Sequence, residues 1–469
     1  MRDPQRIHFI GVCGTAMATV AALLKQSGHD VGGSDQHVYP PMSDFLVTEG
    51  IRTMVGFSAD HVSADVDLVV VGNAISRGNI ELEAVLERKI RYCSLPEVIR
   101  DHFLWGSRPI VLAGTHGKTT TTSLTGWLLT HGQRNPTVLV GGIALNLGDR
   151  GSSYRLGEGG DFVIEGDEYD SAYFDKTAKF LKYLPEVAVI GNIEFDHADI
   201  YADIEAVLLA FRRLVNLVPR TGLLLLGADS PHAAGLLPHA VSPVETFGTA
   251  VEATWRADAI EHGEGATRFA VHRHGKPFGR FETPLLGLHN LRNALAALAV
   301  GSHVGLGASQ LADGLRAFKG IKRRLEIIGV RSGVTVIDDF AHHPTAVRET
   351  LAALRTGYPT RRLWAVFEPR SASSCRRVFQ NDFAASFGAA DEVVIAGIFR
   401  SSLPESERLS VERLVDDLRG QNQRARHVPD TQNIVETIVN ERRDGDIVVL
   451  MSNGGFDGIH QKLLQALNG

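Results

Sequence analysis

The sequence predicts an α/β fold built on parallel sheets, and three observations carry that expectation. Short apolar runs alternate with helix-compatible segments. Many of these runs end in glycine or polar sequence, where open α/β sheets bind their ligands. The length of 469 residues implies roughly three domains of about 150 residues each.

In chain order the runs are Ile7–Ile10, Leu68–Val71, Ile110–Ala113, Phe162–Ile164, Val187–Ile190, Leu223–Leu226, Val334–Ile337, Leu363–Phe367, Val393–Ala396 and Ile447–Met451. Boundaries are expected at Leu104-Trp-Gly-Ser-Arg-Pro109 and at Phe318-Lys-Gly-Ile-Lys-Arg-Arg324, which gives segments 1–107, 108–323 and 324–469. Composition is that of a globular enzyme, with 44% hydrophobic and 22% charged residues. A net charge of −6 without a long basic block argues against an extended nucleic-acid surface. Three scattered cysteines, Cys13, Cys93 and Cys375, form no Cys-x-x-Cys pair and point to a reducing compartment. With no signal-peptide core and no apolar stretch of about 20 residues, a cytoplasmic protein without a membrane partner is expected.

The richest segment is Pro109-Ile-Val-Leu-Ala-Gly-Thr-His-Gly-Lys-Thr-Thr-Thr-Thr122. A strand feeding a glycine turn at a helix start aims several backbone N–H groups at one spot. That spot suits nucleotide phosphates, with Lys118 as a mobile charge and the Thr119 hydroxyl as a magnesium ligand. Gly11-Val-Cys-Gly14-Thr-Ala-Met17 resembles a dinucleotide fingerprint, but Cys13 and Ala16 stand at its second and third glycine positions. A structural turn fits it as well as a nucleotide site does. Asp35 is placed to hold a ribose hydroxyl.

Two strand ends are acidic. Phe162-Val-Ile-Glu-Gly-Asp-Glu-Tyr-Asp170 carries four carboxylates, and Val189-Ile-Gly-Asn-Ile-Glu-Phe-Asp-His-Ala-Asp199 carries Glu194, Asp196, His197 and Asp199. Magnesium prefers oxygen ligands, and clustered carboxylates repel one another without a cation. Gly287-Leu-His-Asn-Leu-Arg-Asn-Ala294 begins an alanine-rich helix, where His289, Asn290 and Asn293 either cap the helix or meet a nucleotide. Lys322-Arg-Arg324 reads equally as a phosphate contact or a solvated linker. Val334-Thr-Val-Ile-Asp-Asp-Phe-Ala-His-His-Pro344 puts Asp338, Asp339, His342 and His343 at another strand end, compatible with metal, phosphate or acid–base work.

As an ordered set these motifs resemble the Mur ligase superfamily of ATP-dependent amide-forming enzymes, across essentially the whole chain. The resemblance implies a Rossmann-like N-terminal domain for a UDP-sugar, a central P-loop ATPase domain, and a Rossmann-like C-terminal domain for the amine substrate. It implies ATP and Mg2+ as cofactors. Gly11, Gly14, Thr15 and Met17 would then lie near the UDP diphosphate, Asp35 near the uridine, and Asn73, Ala74 and Ile75 along another wall. Gly114, Thr115, His116, Gly117, Lys118, Thr119 and Thr120 would hold the ATP phosphates. The family pattern puts Asn290 at adenine, Arg324 on phosphate and Asp338 or Asp339 near the ribose. Thr119 and Glu165 would hold one magnesium and His197 a second, with His343 as the base for the amine.

Within the family, Tyr39-Pro-Pro-Met-Ser43, Glu168-Tyr-Asp-Ser-Ala-Tyr-Phe-Asp-Lys176, Phe367-Glu-Pro-Arg-Ser371 and Ser452-Asn-Gly-Gly-Phe-Asp-Gly-Ile-His460 are most similar to one branch. That branch joins UDP-N-acetylmuramate to the intact tripeptide L-alanyl-γ-D-glutamyl-meso-diaminopimelate, in peptidoglycan recycling. Arg370, Ser452, Asn453 and Phe456 are its peptide-site candidates here. No lysine occurs between Lys182 and Lys276, so the carbamoylated lysine of some relatives looks absent. The L-alanine-adding branch has Phe-Gln-Pro-His-Arg where this chain has Phe-Glu-Pro-Arg-Ser. Free alanine presents a carboxylate that wants an arginine clamp, and in a tripeptide that carboxyl is an amide. Competing readings are the L-alanine-adding ligase, a folylpolyglutamate synthase-like ligase, and a nucleotide-gated P-loop binding protein. A monomer or weak homo-oligomer is expected.

Overall fold

The computed structural model describes residues 3–40, 42–198, 200–263, 265–399 and 403–468, so Pro41 and Asp199 of the motifs above lie outside the described residues. The chain forms two compact units. The first comprises Met1–Ile193, Glu205–Trp255 and Ala296–Gly314; the second comprises Glu194–Ile204, Arg256–Leu295 and Leu315–Gly469.

The first unit holds two sheets. One is parallel, with strands β1 (Arg6–Ile10), β2 (Asp30–Asp35), β3 (Arg52–Val55), β4 (Leu68–Val71) and β5 (Tyr92–Ser94) in the order β3-β2-β1-β4-β5. The chain leaves β1 toward β2 on one side and reaches β4 on the other. The carboxyl end of β1 is therefore a topological switch point, where such sheets take ligands. Gly33 on β2 is obligatory, because a Cβ there would lie 2.5 Å from the Phe9 carbonyl oxygen.

The second sheet contains β6 (Arg108–Ala113), β7 (Thr137–Ala144), β8 (Ser152–Arg155) and β9 (Asp161–Gly166). A short antiparallel pair, β10 (Asp170–Ala172) and β11 (Asp175–Ala178), follows as a separate ribbon. The sheet then continues with β12 (Val187–Ile190), β13 (Leu223–Gly227) and β14 (Val244–Gly248), in the order β14-β13-β12-β6-β9-β7-β8. Only β8 runs antiparallel to its neighbour among these seven. Strands β12 and β13 are buried along their whole length, as expected for parallel strands covered on both faces. The helix Thr15–Gln26 meets β8 through Thr19 Oγ1 and Ser153 Oγ at 3.0 Å, and through Gln26 Nε2 donating to the Tyr154 hydroxyl at 2.7 Å.

In the second unit β15 (Trp255–Gly263) is followed by the antiparallel pair β16 (Ala266–Arg273) and β17 (Lys276–Thr283). The remaining strands are β18 (Glu326–Arg331), β19 (Val334–Asp339), β20 (Leu363–Phe367), β21 (Glu392–Ile395), β22 (Arg424–His427) and β23 (Ile447–Met451), in the order β18-β19-β23-β20-β21-β22. Strand β20 shows why this sheet needs cover on both faces. Leu363, Ala365 and Phe367 pack with Leu351, Phe383 and Phe387, while Trp364 and Val366 pack with Ile434 and Ile459.

Nine of the ten apolar runs named above lie within strands, and Val393–Ala396 runs one residue past β21. The helix expected after the Gly114 turn spans Lys118–His131, and the alanine-rich helix spans Leu288–His303. Among the described residues no helix is long and apolar enough to cross a membrane. Strands β2, β16 and β17 lacked an apolar signal, the first because two of its residues are glycine and the others because one face is largely exposed.

One buried charge ties β9 to β6 and to the turn that follows helix Lys118–His131. Asp161, 1% exposed at the start of β9, accepts from Arg108 Nε at 2.7 Å and Arg134 Nε at 2.6 Å. Asp161→Ala leaves two guanidinium groups without their carboxylate and is expected to cost about 3 kcal/mol. Chemical denaturation checks this; a loss below about 1 kcal/mol, the scale of an exposed pair, would contradict it.

Candidate active site

The phosphate turn is built by two glycines and one asparagine. Gly114 has φ +133° and Gly117 φ +81°, both in the left-handed region that side chains disfavour. A Cβ on Gly114 would lie 3.0 Å from the Asn192 carbonyl oxygen. Asn192 closes the loop. Its carbonyl accepts the Thr115 N–H at 2.9 Å, its Oδ1 accepts the His116 N–H at 2.8 Å, and its Nδ2 donates to the His116 carbonyl at 3.0 Å. With those two N–H groups turned inward, the cradle falls to the helix start, residues 117–120, where backbone N–H groups point along the axis.

Lys118 Nζ lies over its own loop, donating to Gly114 O at 2.8 Å, Thr115 O at 3.2 Å and Glu168 Oε1 at 3.0 Å. Burial works against its charge, but Glu168 and Asp167 outweigh burial and hold the ammonium above its ordinary pKa. Thr119 Oγ1 donates to Glu165 Oε1 at 3.0 Å, and the Gly141 N–H donates to Glu165 Oε2 at 2.7 Å. Burial pushes the Glu165 carboxyl up, and the Gly141 bond and Lys118 offset it only in part. Asp167 pairs with Lys179 at 2.7 Å and is held below the carboxylate range, mainly by Lys179 against its burial. Thr119 and Glu165 are thus an all-oxygen pair with a carboxylate short of positive partners, and they fit a magnesium ion.

The Gly11–Gly14 turn has a different economy. Ser34 O accepts the N–H groups of Gly11 at 2.8 Å and Val12 at 3.0 Å, and Asp35 Oδ2 accepts that of Cys13 at 2.9 Å. Asp35 Oδ1 also accepts the His37 N–H at 3.1 Å. Asp35 therefore shapes the turn, and the Gly11 and Val12 N–H groups are already taken by Ser34 O. Thr15 is exposed, while Met17 and Ile75 are buried against the turn's glycines, beside Gly14 and Gly72 for one and Gly11 for the other. Asn73 and Ala74 are exposed after β4.

In the second unit, residues 194–197 meet the helix Pro344–Gly357 and the loop after β20. Thr345 Oγ1 donates to Glu194 Oε2 at 2.7 Å, and Ser373 Oγ donates to Asp196 Oδ1 at 2.6 Å. Burial raises the Asp196 carboxyl, yet His197, His343 and His342 hold it well below the usual range. His197 has φ +55°, and its N–H donates to Asp196 Oδ1 at 2.6 Å. The expectation that His343 serves as a base is not supported. Its Nδ1 accepts the Thr345 N–H at 3.3 Å as the helix cap, and its Nε2 faces the Phe195 carbonyl at 3.3 Å.

Other residues are equally committed. Asp339 accepts from the Leu325 and Ala341 N–H groups at 2.7 and 2.9 Å and from Thr350 at 3.1 Å; burial pushes its carboxyl up. That is a structural post rather than a ribose contact. Asp338 faces His460 Nε2 at 3.1 Å and Arg323 Nε at 3.3 Å. Arg324 lies over the Phe340 ring at 5.0 Å. Asn290 donates to Leu286 O at 2.9 Å and accepts from Asn293 at 3.2 Å, so it braces the helix start.

Around Arg370 the guanidinium stacks on Phe399, 3.5 Å from the ring centroid, and lies 3.5 Å from Glu368. Gly454 makes room for it, since a Cβ there would sit 1.9 Å from Arg370 Nε. Ser452 Oγ donates to Glu368 Oε2 at 2.5 Å, and Arg323 Nη2 donates to the carbonyls of Ser452 and Gly454 at 2.6 and 2.8 Å. Asn453 Oδ1 is buried in the same loop without a hydrogen-bond partner. Phe456, expected at the peptide site, is 1% exposed in the core and anchors the loop from behind. Asn192, Glu368 and Ser373 are not singled out from the sequence, and Glu168 is read there only as one of four carboxylates after β9; for Asn192, a polar residue just past an apolar run is the available signal.

Three family descriptions match successive parts of the chain: Mur ligase family, catalytic domain over residues 6–104; Mur ligase middle domain over 112–301; and Mur ligase, glutamate ligase domain over 323–454. The chain belongs to the Mur ligase family. It is 40% identical over 464 residues to the UDP-N-acetylmuramate–L-alanyl-γ-D-glutamyl-meso-2,6-diaminoheptandioate ligase of Escherichia coli (strain K12), covering 98% of each chain. It is 35% identical to the UDP-N-acetylmuramate–L-alanine ligase of Geobacter sulfurreducens, covering 96% of this chain and 95% of that one. A crystal structure of a murein peptide ligase from Psychrobacter arcticus 273-4 superposes with a TM-score of 0.71 at 35% identity, covering 99% of both chains.

The raised Glu165 carboxyl has a signed consequence. The folded state binds that proton more tightly than the unfolded chain, so stability falls as pH climbs from the free carboxylate value of about 4.3 through the raised value. Glu165→Gln is expected to flatten that part of the ligand-free melting-temperature profile and to shrink the stabilisation given by magnesium and ATP. Differential scanning fluorimetry across pH checks both, and profiles matching the parent protein would contradict the assignment.

Proposed function

We propose that this protein is a carboxylate–amine ligase that joins UDP-N-acetylmuramate to L-alanyl-γ-D-glutamyl-meso-diaminopimelate, with ATP converted to ADP and phosphate. One observation carries the reading: the turn of Gly114–Thr119, with Lys118 poised over it and Thr119 against Glu165, stands in a chain matched end to end by a ligase for that tripeptide. The higher identity to that relative than to the L-alanine ligase supports the tripeptide branch, as does Phe-Glu-Pro-Arg-Ser at 367–371.

In this reading residues 1–107 bind the UDP-sugar, 108–323 bind ATP, and 324–469 bind the peptide, in the cytoplasm. The muramyl lactyl carboxylate attacks the γ-phosphate of ATP, ADP leaves, and an acyl phosphate forms. The peptide's alanine amine attacks the acyl carbon, and phosphate leaves with the amide made. Phosphoryl transfer depends on alignment and charge stabilisation, which fall to Lys118 and the N–H groups at 117–120. Thr119 and Glu165 would hold one magnesium and His197 a second; when bound, magnesium neutralises phosphate charge. Arg324 serves the nucleotide phosphates and Asn290 the adenine side. Arg370, with Ser452 and Asn453 beside it, meets a carboxylate along the peptide. His343 positions the 194–197 segment, and no base is assigned.

The test supplies ATP, magnesium and UDP-N-acetylmuramate with L-alanine, dipeptide or tripeptide. Product and ADP are expected with the tripeptide; equal rates with L-alanine would place the enzyme in the other branch. ATP turnover indifferent to both substrates would favour a nucleotide-gated binding protein. Lys118→Ala is expected to cut turnover far more than tenfold, beyond the range of about 1.4 kcal/mol that a tenfold loss represents. Arg370→Ala should raise the tripeptide KM more than about threefold, a threshold set well below the 1.5–3 kcal/mol of a charged hydrogen bond. A smaller rise would remove Arg370 from the peptide site.

A further inference from the structure

We propose that Glu81 is a positioning residue for the sugar-nucleotide pocket, fixing Ser34 and through it the turn of Gly11–Gly14. This rests on the reading of that turn as the UDP-sugar site. Glu81 lies in the first turn of helix Ile80–Glu87 and is fully buried. Four donors converge on its carboxylate. Oε2 receives Ser34 Oγ at 2.5 Å and His8 Nε2 at 3.1 Å; Oε1 receives His61 Nδ1 at 2.6 Å and the Ser58 N–H at 3.1 Å.

An ionised carboxylate only accepts, so His8 presents Nε2–H and His61 presents Nδ1–H. A carboxylate offers about four acceptor positions, and all four are taken. Burial favours its neutral form, but the bonds from His8, Ser34, Ser58 and His61 outweigh burial and keep the carboxyl below its ordinary value. Such a buried charge is tolerable only while every donor stays in place. The hub therefore joins β1, the end of β2 and residues 58–61 in one arrangement.

Ser34 passes that rigidity on. Its hydroxyl is held by Glu81, while its carbonyl receives the N–H groups of Gly11 and Val12. The next residue, Asp35, receives the Cys13 N–H. Gly33 lies tight against β1, since a Cβ there would fall 2.5 Å from the Phe9 carbonyl oxygen. The direction of helix Thr15–Gln26, whose start would face the diphosphate, is thereby set from behind by a carboxylate that touches no substrate.

The test uses the full-length enzyme, calorimetric titration with UDP-N-acetylmuramate and steady-state kinetics on all three substrates. Glu81→Gln puts an amide donor where only acceptors fit, and Ser34→Ala removes the single link. Thr15→Asp sets a carboxylate at the exposed helix start as a direct probe of the pocket. Glu81→Gln is expected to weaken UDP-N-acetylmuramate binding and raise its KM about tenfold, and Ser34→Ala about threefold. The KM values for ATP and tripeptide should stay within about twofold, and kcat at saturating sugar nucleotide should hold. Thr15→Asp should weaken sugar-nucleotide binding as well. If Thr15→Asp weakens binding while both other variants leave it unchanged, the positioning role is overturned and the pocket reading survives. If Thr15→Asp has no effect, the pocket reading falls and the inference with it. A uniform loss across all substrates would make Glu81 merely structural and overturn the proposal. Should Glu81→Gln fail to fold, Ser34→Ala decides alone.

Discussion

A half-buried ammonium kept charged by its own loop and two acids is the constraint around which the central sheet is arranged. Lys118 sits on the carbonyls of Gly114 and Thr115 and against Glu168. Desolvation alone would lower its pKa. Glu168 and Asp167 prevent that, and Asp167 is in turn charge-balanced by Lys179. The turn must also bend back on Asn192, which only glycine at 114 permits. Charge, loop shape and sheet register thus depend on one another.

Two glutamates, Glu81 buried and Glu165 half-buried, show how supply of donors divides structural from chemical work. Glu81 has four donors and is held ionised. Glu165 receives one N–H and one hydroxyl among the bonds described, and burial drives its carboxyl up. The first is complete within the protein. The second has spare acceptor capacity beside the phosphate turn, the condition under which a divalent cation is welcome.

The loop after β20 and the loop after β23 are likewise a matched pair. Ser452 binds Glu368, Arg323 binds the carbonyls of Ser452 and Gly454, and Gly454 yields the volume that the Arg370 side chain fills. The Arg370 guanidinium lies over the Phe399 ring, and a guanidinium suits bidentate contact with a carboxylate. Ser373, on the loop after β20, reaches Asp196 beside His197, so that loop and the histidine's backbone share one carboxylate.

What the chain alone determined was local: apolar runs buried on both faces become parallel strands, and a glycine turn followed by Lys-Thr becomes a helix start, because period and backbone freedom are written in neighbouring residues. Strand β2 escaped notice because its glycines answer to the backbone of β1, not to an apolar pattern. Phe456, expected at the peptide site, packs in the core, and His343, expected as a base, caps a helix; burial and capping depend on what packs against them. Tertiary structure alone decided which acid serves which group. Lys118 meets Glu168 across 50 residues of sequence, and Asp196 meets Ser373 across 177. Hydrogen bonds are too short-ranged and directional for spacing along the chain to assign such partners.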